Sequence, residues 1–255
     1  MKYATISFNN KLVILILLTI LVTGAVFMAG AIPESGAYHD FADKRSLWGI
    51  PNFLNVISNL PFLLVGTFGL VRVAGTSAPR PIPVIYGVMF AGVLLTGLGS
   101  AWYHLKPDNN SLVYDRIPMT IVFMSLLSAT LSEFVHPRLG AFLLGPLLFI
   151  GVGSVLWWHY TELREAGDLR LYILVQYYPM LLIPLILFLF PSGGYGKGTS
   201  QLARVVVWYF IAKACDLCDR PIYSFTGFIS GHSLKHLAAA VATLYLVRSF
   251  QYKYL

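Results

Sequence analysis

Eight apolar runs, each close to the roughly 20 residues needed to cross a bilayer core, constrain this chain more than any other feature. They fall at residues 11–31, 50–72, 82–104, 113–134, 139–159, 169–190, 200–219 and 229–249. Backbone polar groups inside a bilayer must be satisfied internally, so runs of this length fold as helices. The expected class is an all-α polytopic membrane helix bundle of eight spans, a single integral membrane domain over residues 1–255. Composition agrees, with 57% hydrophobic and only 11% charged residues, against about a quarter charged in soluble domains. The net charge of +7 would suggest nucleic acid in a soluble chain. Here Lys and Arg sit mostly in short breaks between apolar runs, where they set topology, and no nucleic-acid partner is expected.

The first run follows Lys2 and Lys11 and is longer than the about 7–15 residues of a signal-peptide core, so it reads as a retained helix. Prolines 118, 146, 179 and 184 fall inside runs, which membrane helices tolerate because neighbouring groups re-satisfy the freed carbonyls. With a cytoplasmic N-terminus the inner side collects Lys2, Lys11, Arg72, Arg80, Arg138, Lys197, Arg204, Arg248 and Lys253. The outer side then holds Lys44, Arg45, Lys106, Arg116, Arg164, Arg170 and Arg220. This small inner excess favours both termini inside. Cys215 and Cys218 form a lone C-x-x-C pair at the end of an apolar run, read as packing residues rather than a redox or metal pair. The break from Tyr160 to Asp168 reads as a solvated loop. No run carries a clear small-xxx-small stripe, so oligomeric state is not set by the sequence.

Alternation of eight spans brings the end of the third run and the starts of the fourth and eighth to one face of the membrane. The third run closes with Ser100 and His104, the fourth opens with Asp115, and the eighth opens with His232 and His236. Residues four apart on a helix share a face about 5–6 Å apart, close enough for His232 and His236 to reach one metal ion. Each residue has an innocent explanation alone: a dipole-favoured Asp, a Ser bonded to its own backbone, a wetted His. Together they are costly, since ionisable groups in a membrane interior cost about 2.5–3.5 kcal/mol each even on the lenient scale.

Three neutral imidazoles suit zinc, and three protein ligands with an open fourth position make the catalytic rather than the structural type of site. Zinc lowers the pKa of bound water towards about 7. Asp115 is then placed to take and return a proton, and Ser100 to donate to a developing oxyanion. Apolar surroundings point to a lipid or acyl substrate, and the chemistry to amide or ester hydrolysis.

Ser100-x-x-x-His104, Asp115 eleven residues further on, His232-x-x-x-His236, Trp48 and Asn55-x-x-Ser58-Asn59 resemble the alkaline ceramidase family and the wider group of seven-helix membrane hydrolases that includes the adiponectin receptors. The likeness runs from about residue 38 to residue 248. It implies a seven-helix hydrolase core over 50–249 with the run at 11–31 as an extra N-terminal helix. It also implies zinc on His104, His232 and His236, Asp115 and Ser100 completing the site on the outer side, and cleavage of ceramide-like N-acyl lipids to a fatty acid and an amine. The resemblance further implies calcium before the core, where Asp40, Asp43 and Asn52 offer hard oxygen ligands. That stretch has fewer carboxylates than the family site and adds Lys44 and Arg45, so it also reads as a solvated outer loop.

Three other polar features accompany the cluster. Lys213 and Asp216, with Asp219, either bind a headgroup or neutralise one another at the interface. Lys235, between the two late histidines in sequence, is expected to point away from the metal. His159 reads as interfacial. Two other classes compete with a hydrolase: a receptor or sensor in which zinc only braces the helices, and a proton-coupled transporter.

Overall fold

A computed structural model describes residues 6–191 and 196–255. Lys2 lies outside them, as does the side chain of Lys197. The described residues form ten α-helices: α1 Phe8–Met28, α2 Phe53–Ile57, α3 Leu60–Ala74, α4 Ile82–Leu105, α5 Asn109–Thr130, α6 Pro137–Glu162, α7 Arg170–Leu189, α8 Gly196–Leu217, α9 Asp219–Thr226 and α10 Gly231–Tyr254. The class is an all-α polytopic membrane bundle. Among the described residues, six helical segments are long and apolar enough to cross a membrane: α1, α2 with α3, α4, α5 with the π-helical turn Leu131–Val135, α6 and α7. The remaining long helices, α8 and α10, have 22 and 24 residues, or about 33 and 36 Å at 1.5 Å per residue. They carry more charge: Lys213, Asp216, Lys235 and Lys253 form ion pairs within the bundle, while Arg204 and Arg248 are exposed.

The second apolar run is not one helix. Asn52 takes a left-handed conformation (φ 47°) that starts α2, and the chain re-enters helix at α3 with Pro61 in its first turn. The prolines within α5, α6 and α7 leave those helices continuous. The long helix pairs α4–α5, α8–α10 and α3–α4 form the body of the bundle, while α1 lies mainly against α7, joined there by Thr19 Oγ1 and Tyr178 OH at 2.7 Å. Ile85, Met89, Phe90, Ile186, Val247 and Phe250 centre the main apolar core. A smaller cluster, Phe41, Tyr103, Leu112, Val155, Trp158, Leu169 and Tyr172, sits at the end where α4 closes and α5 opens.

Residues 32–45 are more than a solvated connection. They run as a strap across that end of the bundle. Ile32 O accepts from Leu169 N, Glu34 N donates to Glu162 Oε1, and Ala42 N donates to Asp219 Oδ2. His39 bridges Tyr103 OH (2.8 Å) and Asn109 Oδ1 (2.9 Å). Glu34 pairs with Arg116, a buried guanidinium with its centre 4.3 Å from the Trp158 ring, 4.6 Å from Tyr172 and 5.0 Å from Tyr38. The 160–168 break departs from expectation for the same reason. Glu162 accepts from the strap and from Trp158 Nε1, and buried Asp168 pairs with Arg170 at 2.8 Å, so those carboxylates fasten helix ends together.

Candidate metal centre

The histidine pair at the head of α10 is held by that helix's start. Ser230 caps it, its hydroxyl accepting from Ser233 N, and His232 N donates to Asp219 Oδ1 at 2.8 Å. Gly231 permits the entry: a Cβ there would stand 2.2 Å from the Cys215 carbonyl oxygen. His104 enters from the last turn of α4, where Asn52 Nδ2 donates to its carbonyl at 2.9 Å. All three imidazoles are buried.

The rings converge. Their centroids are 4.8–5.0 Å apart, and one ligand nitrogen from each lies within 4.8 Å of the others. His104 Nε2 and His232 Nε2 face each other at 3.3 Å. Two nitrogens bound tetrahedrally at about 2.0–2.1 Å from one ion lie about 3.3 Å apart, so this spacing suits a shared metal.

Outer partners fix two of the three rings. His232 Nδ1 donates to Asp216 Oδ1 at 3.1 Å. His236 Nδ1 lies 2.8 Å from Ser58 Oγ, whose own proton goes to Asn55 O, so the ring donates and Ser58 accepts. Both imidazoles thereby turn an Nε2 lone pair inward, the arrangement by which metal sites orient their ligands. His104 Nδ1 has no hydrogen-bond partner. Phe41 covers the rings from the strap side, its centroid 4.4 Å from His232 and 4.7 Å from His104.

Ser100 and Asp115 line one cavity together with His236 and Lys235. Their closeness depends on Gly99, where a Cβ would fall 1.9 Å from the Tyr114 carbonyl oxygen. Only glycine lets α4 and α5 meet at that level. From this polar end the cavity continues between α5, α7, α8 and α10 to Leu126, Val205 and Leu246. His236 and Leu246 are ten positions apart on α10, about 15 Å along its axis, and the deeper walls are apolar.

Lys235 contradicts expectation. Its ammonium lies 3.0 Å from His232 Nε2 and 3.4 Å from Asp216 Oδ1. The two residues are three apart, hence neighbours on a helix face, and the long stem supplies the remaining reach. Lys213 does pair with Asp216, at 3.1 Å, but around the cavity rather than away from it. His159 is half-buried with an unpartnered Nδ1 and has no contact with the triad. Asp216 and Ser58 were the residues whose role the sequence left open. The Lys213–Asp216 spacing and the Asn55-x-x-Ser58-Asn59 segment are the signals that mark them.

The residues assigned to calcium do not fit a dication. The hydrogen bond and charge of Lys44, then the charge of Arg220, hold exposed Asp40 below the usual carboxylate range. Burial opposes ionisation of Asp43, yet Arg45 outweighs it through bonds of 2.9 and 2.8 Å and holds that carboxyl low as well. Arg45 also reaches Phe228 O. Asn52 spends its amide on the His104 carbonyl. The protein's own cations neutralise the two carboxylates, Asp40 and Asp43.

The ceramidase family model matches residues 47–187, more than half of the chain. The protein belongs to the ceramidase family. A search of curated proteins returns no match. The family match spans His104, Ser100 and Asp115 but ends before α10, so the participation of His232 and His236 rests on their position in the fold. Membership implies a hydrolase acting on an amide bond and a lipid substrate met at the membrane, and the three buried histidines have the geometry to hold a metal ion.

Proposed function

We propose that this ceramidase-family protein is a zinc-dependent intramembrane hydrolase that cleaves ceramide-like N-acyl lipids to a fatty acid and an amine. One observation carries the reading: inward-facing imidazole nitrogens beside a cavity that holds a carboxylate and a hydroxyl at its polar end and apolar walls beyond. His104, His232 and His236 would hold the zinc, which when bound supplies Lewis acidity and makes water easier to deprotonate.

The chain's own groups do the rest. The apolar walls take the acyl chain, which sets the amide carbonyl at the polar end. Asp115 accepts a proton as water oxygen adds to the carbonyl carbon, and returns it to the nitrogen as the carbon–nitrogen bond breaks. Ser100 donates to the carbonyl oxygen as negative charge grows on it. Asp216 and Ser58 keep two imidazoles turned with Nε2 inward. Both termini lie on the cytoplasmic side in this reading, with α8 and α10 spanning and the histidines near the outer face.

Detergent-purified protein is expected to carry one tightly bound zinc per chain and to release fatty acid from an N-acyl lipid. Chelation abolishes that release and zinc restores it. A metal-loaded protein that cleaves no acyl amide would leave zinc as a brace between helices, and proton-linked uptake without zinc would make the protein a transporter.

A further inference from the structure

The cavity beside the triad ends within the bundle. Along each helix that walls it, the lining residue farthest from the polar end is Val93 on α4, Leu126 on α5, Met180 on α7, Val205 on α8 and Leu246 on α10. All five are buried members of the main core. Leu126 is eleven positions from Asp115, Val205 eleven from Asp216 and Leu246 ten from His236, which places them about 15–17 Å below the polar end. Val93, seven positions from Ser100, and Met180, eight from Tyr172, close in from about 10–12 Å.

The side chains beneath them are packed. About one turn further on, Phe90, Ile183, Leu202 and Phe250 are at most 2% exposed. Tyr86, Phe90 and Phe250 pack with ring centroids 4.9–6.5 Å apart, and the Tyr86 hydroxyl donates to Glu133 Oε1 at 2.8 Å. Above that level α8 and α10 present Ala212, Ala239 and Ala242 to the cavity, whose short side chains leave width for a hydrocarbon chain.

Burying methylenes does not by itself favour one chain length in a membrane, because lipid tails are as apolar as the cavity wall. Fit decides instead. A chain that stops short leaves wall atoms without contacts. One that is too long must press into close-packed side chains or hold its carbonyl away from Ser100 and Asp115. The second fault is the larger, since extra methylenes forced into a packed core cost roughly 10–100-fold in affinity.

We propose that Val93, Leu126, Met180, Val205 and Leu246 form a floor that selects the acyl chain of the substrate by length. An extended chain advances about 1.2 Å per bond, so ~12 carbons fill the depth. This rests on the hydrolase reading and adds to it which acyl chain is taken.

The test compares N-octanoyl-, N-decanoyl-, N-lauroyl-, N-myristoyl-, N-palmitoyl- and N-stearoylsphingosine, alike in headgroup, on the full-length zinc-loaded protein. The ratio kcat/KM is expected to peak at lauroyl and to fall by ~10-fold or more at palmitoyl. Leu246→Ala lowers the floor and should move the peak to myristoyl. Ala242→Leu fills the cavity above the floor and should move it to decanoyl or shorter. A purely structural role would lower turnover of all chains together and leave the peak in place, and that result in either variant that folds overturns the floor. A parent peak more than one step from lauroyl, or no peak, overturns it as well. Binding of the same lipids to the parent separates the two readings. A binding maximum at lauroyl without cleavage of any lipid sustains the floor and defeats the hydrolase reading. Binding indifferent to length defeats the floor whatever the turnover, including where neither variant folds.

Discussion

At the end of the bundle opposite the histidines, Glu133 lies in the π-helical turn after α5 and meets the last turn of α10. Its Oε1 accepts from Tyr86 at 2.8 Å and Tyr254 at 3.0 Å, and its Oε2 pairs with Lys253. Both charged side chains are 1% exposed, more deeply buried than the carboxylate and lysines around the triad. Each Glu133 oxygen has its donor, and one anion meets one cation. At the histidine end, ring nitrogens face one another at 3.3 Å, His104 Nδ1 has no partner, and two ammoniums share Asp216. Burial of charge is common to both ends, so burial does not mark function here. What separates them is completeness: the Glu133 cluster is satisfied by protein, whereas the histidine cluster leaves ring nitrogens facing one another.

That contrast can be broken most forcefully at His104. His104→Ala is expected to abolish both bound metal and fatty-acid release while leaving the helical circular dichroism of the parent. A variant that still purifies with one zinc per chain would remove the triad. Asp115→Asn comes next. It should retain zinc and lower turnover by ~10²–10⁴-fold, the usual size of a general acid–base contribution; turnover at the parent rate would strip Asp115 of its proton-transfer role.

Asp216→Asn should have a smaller effect. It weakens zinc by ~10–100-fold in competition with a chelator, as loss of a ligand's outer partner does. Unchanged affinity would mean that His232 needs no help in facing inward. Glu133→Gln is the counterpart at the other end. Breaking one side of a buried ion pair costs about 3–5 kcal/mol, so a lower melting temperature is expected, with zinc content unchanged and turnover within ~2-fold. Loss of zinc in that variant would show that the two ends are not independent.

The sequence exposes the features that depend on local spacing. The span lengths, the i, i+4 placement of His232 and His236, and the meeting of His104 with them by alternation are all readable, because helix periodicity and bilayer thickness dictate them. What escapes is set by contacts between distant segments. The reach from Asp216 on α8 to His232 on α10 has no periodicity to announce it, and the polar Asn55-x-x-Ser58-Asn59 segment does not say which distant side chain Ser58 meets. Lys235 shows how a local argument can mislead. Its angular distance from His236, one residue away, hides its proximity to His232, three residues away. The stretch from 32 to 45 is short and polar, and only the fold shows which helices it ties together.

That strap determines where the working unit begins. Counting helices places the start of a seven-helix core near residue 50, and a chain trimmed there would lose only an outlying span by that count. Yet Glu34 holds Arg116, the residue next to Asp115, and Phe41 lies over His104 and His232. Truncation at 50 would remove the clamp on the turn that carries the carboxylate and the cover from two imidazoles. A fragment that keeps both contacts has to include Glu34 and Phe41, on a strap whose Ile32 carbonyl is fixed to Leu169 N and which leads back to α1 against α7.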